Sequence, residues 1–78
     1  MNSGQEKFMK FILQSVKEEK VEQAKVLLEE SFAKQNDGTF DLIYLDSFIA
    51  DMLELVKEDQ KQQVLGIMQN FKQQMIKE

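Results

Sequence analysis

Seventy-eight residues are enough for one small domain, which buries little more than ~60% of the surface its unfolded chain exposes. The chain has no cysteine and no histidine, which excludes disulfides, thiolate nucleophiles, iron–sulfur and zinc sites, and imidazole acid–base chemistry. Fourteen acidic residues face ten lysines, for a net charge of −4 and no arginine, a balance unsuited to neutralising phosphates.

Met1 to Gln5 are small and polar and read as a disordered, frayed N-terminus, with residues 6–78 as a single four-helix domain. Phe8, Met9, Ile12, Leu13 and Val16 recur at steps of three and four, the signature of one helix face, and predict a helix over 6–17. Lysines at 7 and 10 flank or interrupt the apolar patch from Phe8 to Leu13. No small-residue cleavage site follows, so the start does not read as a signal peptide. No apolar run approaches the ~20 residues that cross a bilayer. A cytoplasmic protein is expected.

Val21, Ala24, Leu27, Leu28 and Phe32 define a second face and a helix over 19–35. At about 100° per residue, this face is rotated by more than ~100° from that of residues 8–16. One straight helix would have to bury opposite sides in its two halves, so the polar stretch Lys17–Lys20 is read as a break. Asn36-Asp37-Gly38-Thr39 then supplies turn-forming residues, with Gly38 suited to a helix C-terminus.

A third helix, over 40–57, starts from Thr39 or Asp41. If Asp41 is the cap, Phe40 and Leu45 stand at the spacing of a hydrophobic staple. Leu42, Ile43, Leu45, Phe48, Ile49, Met52, Leu53 and Val56 cover most of its circumference, which predicts the most buried helix of the four. A second phase jump falls at Lys57–Lys61, where Asp59 and Gln62 have the spacing of a capping box. Val64, Ile67, Met68, Phe71 and Met75 then mark a fourth helix over 60–77.

The predicted fold is all-α: a compact bundle of four short helices arranged as two helical hairpins, antiparallel between sequence neighbours because the connections are short. A faint repeat supports the pairing. Val16-Lys17-Glu18-Glu19 matches Val56-Lys57-Glu58-Asp59, and Phe32-Ala33-Lys34-Gln35 resembles Phe71-Lys72-Gln73-Gln74, at offsets that differ by one residue.

Candidate sites are few. Gly38 at position 6 of a calcium loop would put Ala33 at position 1 and Tyr44 at position 12, where ligating carboxylates are required, so the stretch is read as a turn and cap. Glu18, Glu19, Glu22, Glu29 and Glu30 lie among lysines on polar faces and read as solvated surface, with no histidine to complete a bundle metal site. No metal or other cofactor is expected. The third helix carries Asp41, Asp46, Asp51 and Glu54 with no lysine before Lys57, and its polar strip Tyr44, Ser47, Asp51, Glu54 is suited to a basic partner. Phe11, Leu55, Leu65 and Ile76, with Val26, fall off their helices' main faces; adjoining on the surface, they would form an interface. Met9, Met52, Met68 and Met75 sit at core phases and read as packing residues.

The expected function is therefore that of a non-enzymatic protein-interaction module, a small regulator or adaptor that binds a protein partner or itself. The interaction residues are Tyr44, Ser47, Asp51, Glu54, Phe11, Leu55, Leu65 and Ile76. The alternatives are a nucleic-acid-linked regulator, with Lys61, Lys72 and Lys77 on a recognition helix, and an enzyme using carboxylates, lysine and tyrosine, which no motif favours.

Overall fold

The computed structural model describes residues 3–77. In chain order they form α1 (Ser3–Ser15), a 3₁₀ turn (Glu18–Lys20), α2 (Val21–Asp37), α3 (Leu42–Leu55), a second 3₁₀ turn (Glu58–Gln60) and α4 (Lys61–Lys77). The all-α bundle of four helices is as the periodicity predicts, and packing runs between sequence neighbours: α1 on α2, α2 on α3, α3 on α4. The pairs are antiparallel. Gln5 at the start of α1 donates to Gln35 near the end of α2, and Lys72 late in α4 pairs with Asp46 early in α3 at 2.8 Å. The radius of gyration, 11.9 Å, is close to the ~11.5 Å expected for one compact unit of this length.

The α2–α3 connection shows how local chemistry ends one helix and starts the next. Gly38 takes φ 81° in the left-handed region, where a side chain would be strained, and the Thr39 N–H donates to the Lys34 carbonyl at 3.0 Å. The Thr39 hydroxyl (2.6 Å) and amide (3.0 Å) both donate to Asp37 Oδ1. They hold that carboxyl below its ordinary pKa, the hydroxyl bond contributing most. Because the folded pKa is lowered, the contact supports the fold above the ordinary carboxylate range and is lost as pH falls through the lowered value.

Asp41, not Thr39, is the N-cap of α3, accepting the Tyr44 N–H at 2.8 Å. Asp41→Ala should lower stability by about 0.5–2 kcal/mol, read as a shift in the urea midpoint, while Asp41→Asn should keep most of it. An unchanged midpoint in the alanine variant would remove the cap from the account of this turn.

The two breaks at the phase jumps are one structure built twice. Lys20 N–H donates to Lys17 O and Gln60 N–H to Lys57 O, both at 2.9 Å, closing the 3₁₀ turns. Between them Val16 and Val56 form an antiparallel bridge. The Lys17 N–H donates to Leu55 O at 3.0 Å and the Lys57 N–H to Ser15 O at 2.9 Å. Exchanging residues 15, 16 and 17 with 55, 56 and 57 maps this pair of bonds onto itself, so the hairpins are related by a local two-fold through the bridge. Both valines are buried beneath it.

A single offset of 40 residues relates every element: 15 to 55, 18–20 to 58–60, 21–37 to 61–77. Most buried positions obey it. Ile12 and Met52, Val16 and Val56, Ala24 and Val64, and Leu28 and Met68 are all in the core. The Val-Lys-Glu match is thus a true structural equivalence, whereas Phe32 and Phe71, one residue out of this offset, are not equivalent.

Several expectations are corrected. The helix starts at Ser3, three residues before the expected Glu6, and Gln5 is buried rather than frayed; Met1 and Asn2 lie outside the described residues. Asp59 does not cap α4 but lies inside the second 3₁₀ turn, and the residue before that turn, Lys57, makes no side-chain cap. The third helix buries the largest share of its residues, as expected, but not along its whole length. In its first turn Leu42 is exposed and Ile43 is 83% exposed; at about 100° per residue Ile43 points more than ~100° away from the face of Leu45, Phe48, Ile49 and Met52 that enters the core. Ile67 and Phe71 of α4, also assigned to the core face, are half-exposed.

Candidate interaction surfaces

The acidic strip faces a second acidic row on α2. Antiparallel packing sets Tyr44 beside Glu30 and Lys34: the Tyr44 hydroxyl donates to Glu30 Oε1 at 3.1 Å, and Lys34 Nζ lies 4.9 Å from the ring centroid. Further along, Asp51, Glu54 and Leu55 of α3 and Glu22, Gln23, Val26, Leu27 and Glu30 of α2 line a shallow cleft of about 500 Å³. Four carboxylates thus surround an apolar strip formed by Val26, 63% exposed, with Leu27 and Leu55 half-buried beside it. Glu22 approaches Lys25 only at 3.8 Å, and among the described residues no ion pair engages Asp51 or Glu54.

Tyr44 registers this field. Burial pushes its pKa up to about 12, and the hydrogen bond and charge of Glu30 and the charge of Asp51 add to the shift, so it stays a neutral donor throughout the physiological range. Ser47 is exposed one turn from Tyr44.

The off-phase apolar residues do not behave alike. Phe11, Leu55 and Leu65 are half-buried and packed against the core. Only Ile76, 53% exposed, and Val26 stand out from the surface. Leu55 lies in the acidic cleft while Ile76 is at the far end of α4, so Leu55 and Ile76 do not share one patch. Glu18, Glu19, Glu22, Glu29 and Glu30 are exposed, as read from their polar faces. Among the described residues no three acidic side chains are grouped to hold a metal ion, and no helix is long and apolar enough to cross a membrane.

A second concavity went unread in the sequence. At the end of the bundle away from the Val16–Val56 bridge, Phe8, Phe32, Phe40, Leu45, Phe48, Ile67, Met68 and Phe71 line a cavity of about 480 Å³, with Gly4, Gln5, Ser31, Gln35, Asn70 and Gln74 around them. Phe40 packs edge-on to both Tyr44 (5.3 Å) and Phe71 (5.9 Å), so the expected staple residue forms part of the wall. The phases of Phe32, Phe48 and Phe71 were legible, but that the three line one cavity is a property of the assembled bundle.

No protein-family model, curated protein or solved structure matches the chain.

Proposed function

We propose that the protein is a non-enzymatic cytoplasmic interaction module whose α2–α3 cleft receives a basic amphipathic segment of a partner protein. The observation that carries this is the ring of Glu22, Glu30, Asp51 and Glu54 around Val26, Leu27 and Leu55. An apolar strip edged by carboxylates complements a helix with apolar residues on one face and lysine or arginine at its margins. A second copy of the chain, with a net charge of −4, would be repelled from this cleft. On α4, Lys61 is paired with Glu58 at 2.9 Å and Lys72 with Asp46 at 2.8 Å, so two of the three lysines of a nucleic-acid reading are already engaged; the Lys77 side chain lies outside the described residues.

A designed Leu/Lys amphipathic peptide provides the test. Tyr44 is the only tyrosine and the chain has no tryptophan, so if the peptide carries neither, tyrosine emission reports on the edge of this cleft through the Tyr44–Glu30 hydrogen bond. Binding should weaken with salt, and the Asp51→Lys/Glu54→Lys double variant should bind at least about tenfold more weakly, ~1.4 kcal/mol. Affinity that changes with neither salt nor charge reversal would rule out this cleft as the binding surface.

A further inference from the structure

The cavity opposite the bridge has a composition that the repeat makes informative. None of its fourteen lining residues is charged, in a chain that is 31% charged. Its polar groups are a serine hydroxyl and four carboxamides, Gln5, Gln35, Asn70 and Gln74. Two of the buried polar residues of the protein are here: Ser31 is 1% exposed and Gln5 7%. At the 40-residue offset, Ser31 stands where the second hairpin has Phe71, and Gln5 stands where it has Leu45. The first hairpin therefore departs from the repeat on the cavity wall, exchanging a ring for a hydroxyl and an aliphatic side chain for an amide. The exchange at Ser31 removes the bulk of a ring, and both exchanges leave polar groups in the wall. The Ser31 hydroxyl donates to Leu28 O at 2.8 Å, so its oxygen has only lone pairs to offer a ligand. Gln35 accepts from Gln5 through Oε1 at 3.1 Å, which directs its own amide hydrogens elsewhere.

We propose that this cavity is a binding site for an uncharged, mainly apolar small molecule carrying one hydroxyl, amide or ester group. A cavity of ~150 Å³ holds benzene, so 480 Å³ admits about twenty non-hydrogen atoms, and the volume lies in the ordinary range of small-ligand pockets. A carboxylate or ammonium drawn into the cavity is selected against, because no lining side chain neutralises it and desolvating it is costly. The site is distinct from the acidic cleft and does not depend on it.

The test uses the whole chain and the neutral fluorophore N-phenyl-1-naphthylamine, whose emission rises when it leaves water. Saturable one-to-one binding is expected, with decan-1-ol displacing it at a concentration about tenfold or more below that needed for decanoate. Ile67→Trp, which adds bulk at a half-exposed wall position, should weaken binding at least about tenfold, while Ile43→Trp, outside the cavity, should leave it unchanged. The alcohol–carboxylate comparison needs no variant, so a failure of Ile67→Trp to fold does not remove the test. Absence of saturable binding, equal displacement by decanoate, or full binding by a folded Ile67→Trp variant would overturn the proposal. So would a wild-type dimer in sedimentation that Ile67→Trp abolishes, since the face would then belong to a second copy of the chain.

Discussion

Ile12→Ala and Met52→Ala should each cost about 2–5 kcal/mol, enough to leave either variant largely unfolded, since a domain of this size has a total stability on the order of 5 kcal/mol. Both side chains are fully buried, and they are equivalent positions of the two hairpins. Each loses apolar contact area, and the pinned helices can collapse only partly around the space left behind. The two hairpins share one core cluster, drawn from all four helices and both bridge valines, so damage to either half should unfold both together. Urea titration followed by circular dichroism should show a single transition moved to lower denaturant. A biphasic curve, with one hairpin melting ahead of the other, would show that the halves are separate folding units.

Lys57→Pro should lower stability by about 1–3 kcal/mol, because it leaves the Ser15 carbonyl without its bridge donor. The dihedrals alone would accept proline, but its Cδ would take the place of the Lys57 hydrogen, far inside contact distance of the Ser15 oxygen 2.9 Å from the nitrogen, so the bridge must also open. Lys57 has φ −59° and Val56 has φ −83°, ψ 145°, which satisfy the restrictions on proline and on the residue before it. Stiffening the unfolded chain returns only about 0.4–1 kcal/mol, less than the lost bond and the displaced bridge cost together, so the observed loss should fall toward the upper part of that range. Lys57→Ala is the control: the side chain is exposed, and its removal should stay within about 0.5 kcal/mol. Lys17, with φ −64°, should respond to proline in the same way. If Lys57→Pro matches Lys57→Ala in urea midpoint, the hydrogen bond from residue 57 to residue 15 contributes nothing measurable.

The phases of the apolar residues carried the helices. Phe8 to Val16 and Val21 to Phe32 could not share one straight cylinder, and the structure breaks the chain between them. The same reasoning did not reach Leu42 and Ile43. Ile43 points away from the face of Leu45, Phe48, Ile49 and Met52, so counting it with them made that face too wide; Leu42 shares their side of the helix, and periodicity does not say whether a neighbour reaches far enough to cover it. The capping box drawn from Asp59 and Gln62 failed for a related reason. The spacing was right, but the bridge holds Lys57 extended and the chain enters α4 through a 3₁₀ turn, which places Asp59 inside that turn.

The acidic strip Tyr44, Ser47, Asp51, Glu54 was legible as spacing on one helix. Its facing row, Glu22 and Glu30 on α2, read as ordinary solvated surface until antiparallel packing set the two rows on either side of Val26. The cavity left still less trace, because it depends on where Ser31 and Gln5 fall relative to side chains as far away in sequence as Gln74.

Composition and local pattern by themselves determined that this is one small all-α unit of four helices, without thiol or imidazole chemistry, whose only turn with strong local signals is at Gly38. Those properties follow from residue identity and from interactions within a few positions along the chain. Tertiary structure alone decided the Val16–Val56 bridge, the common 40-residue offset, the pairing of two acidic rows and the open end of the bundle. Each of these depends on groups tens of residues apart being brought within a few ångströms. The free energy that does so is the burial of one shared core, which no single helix contains.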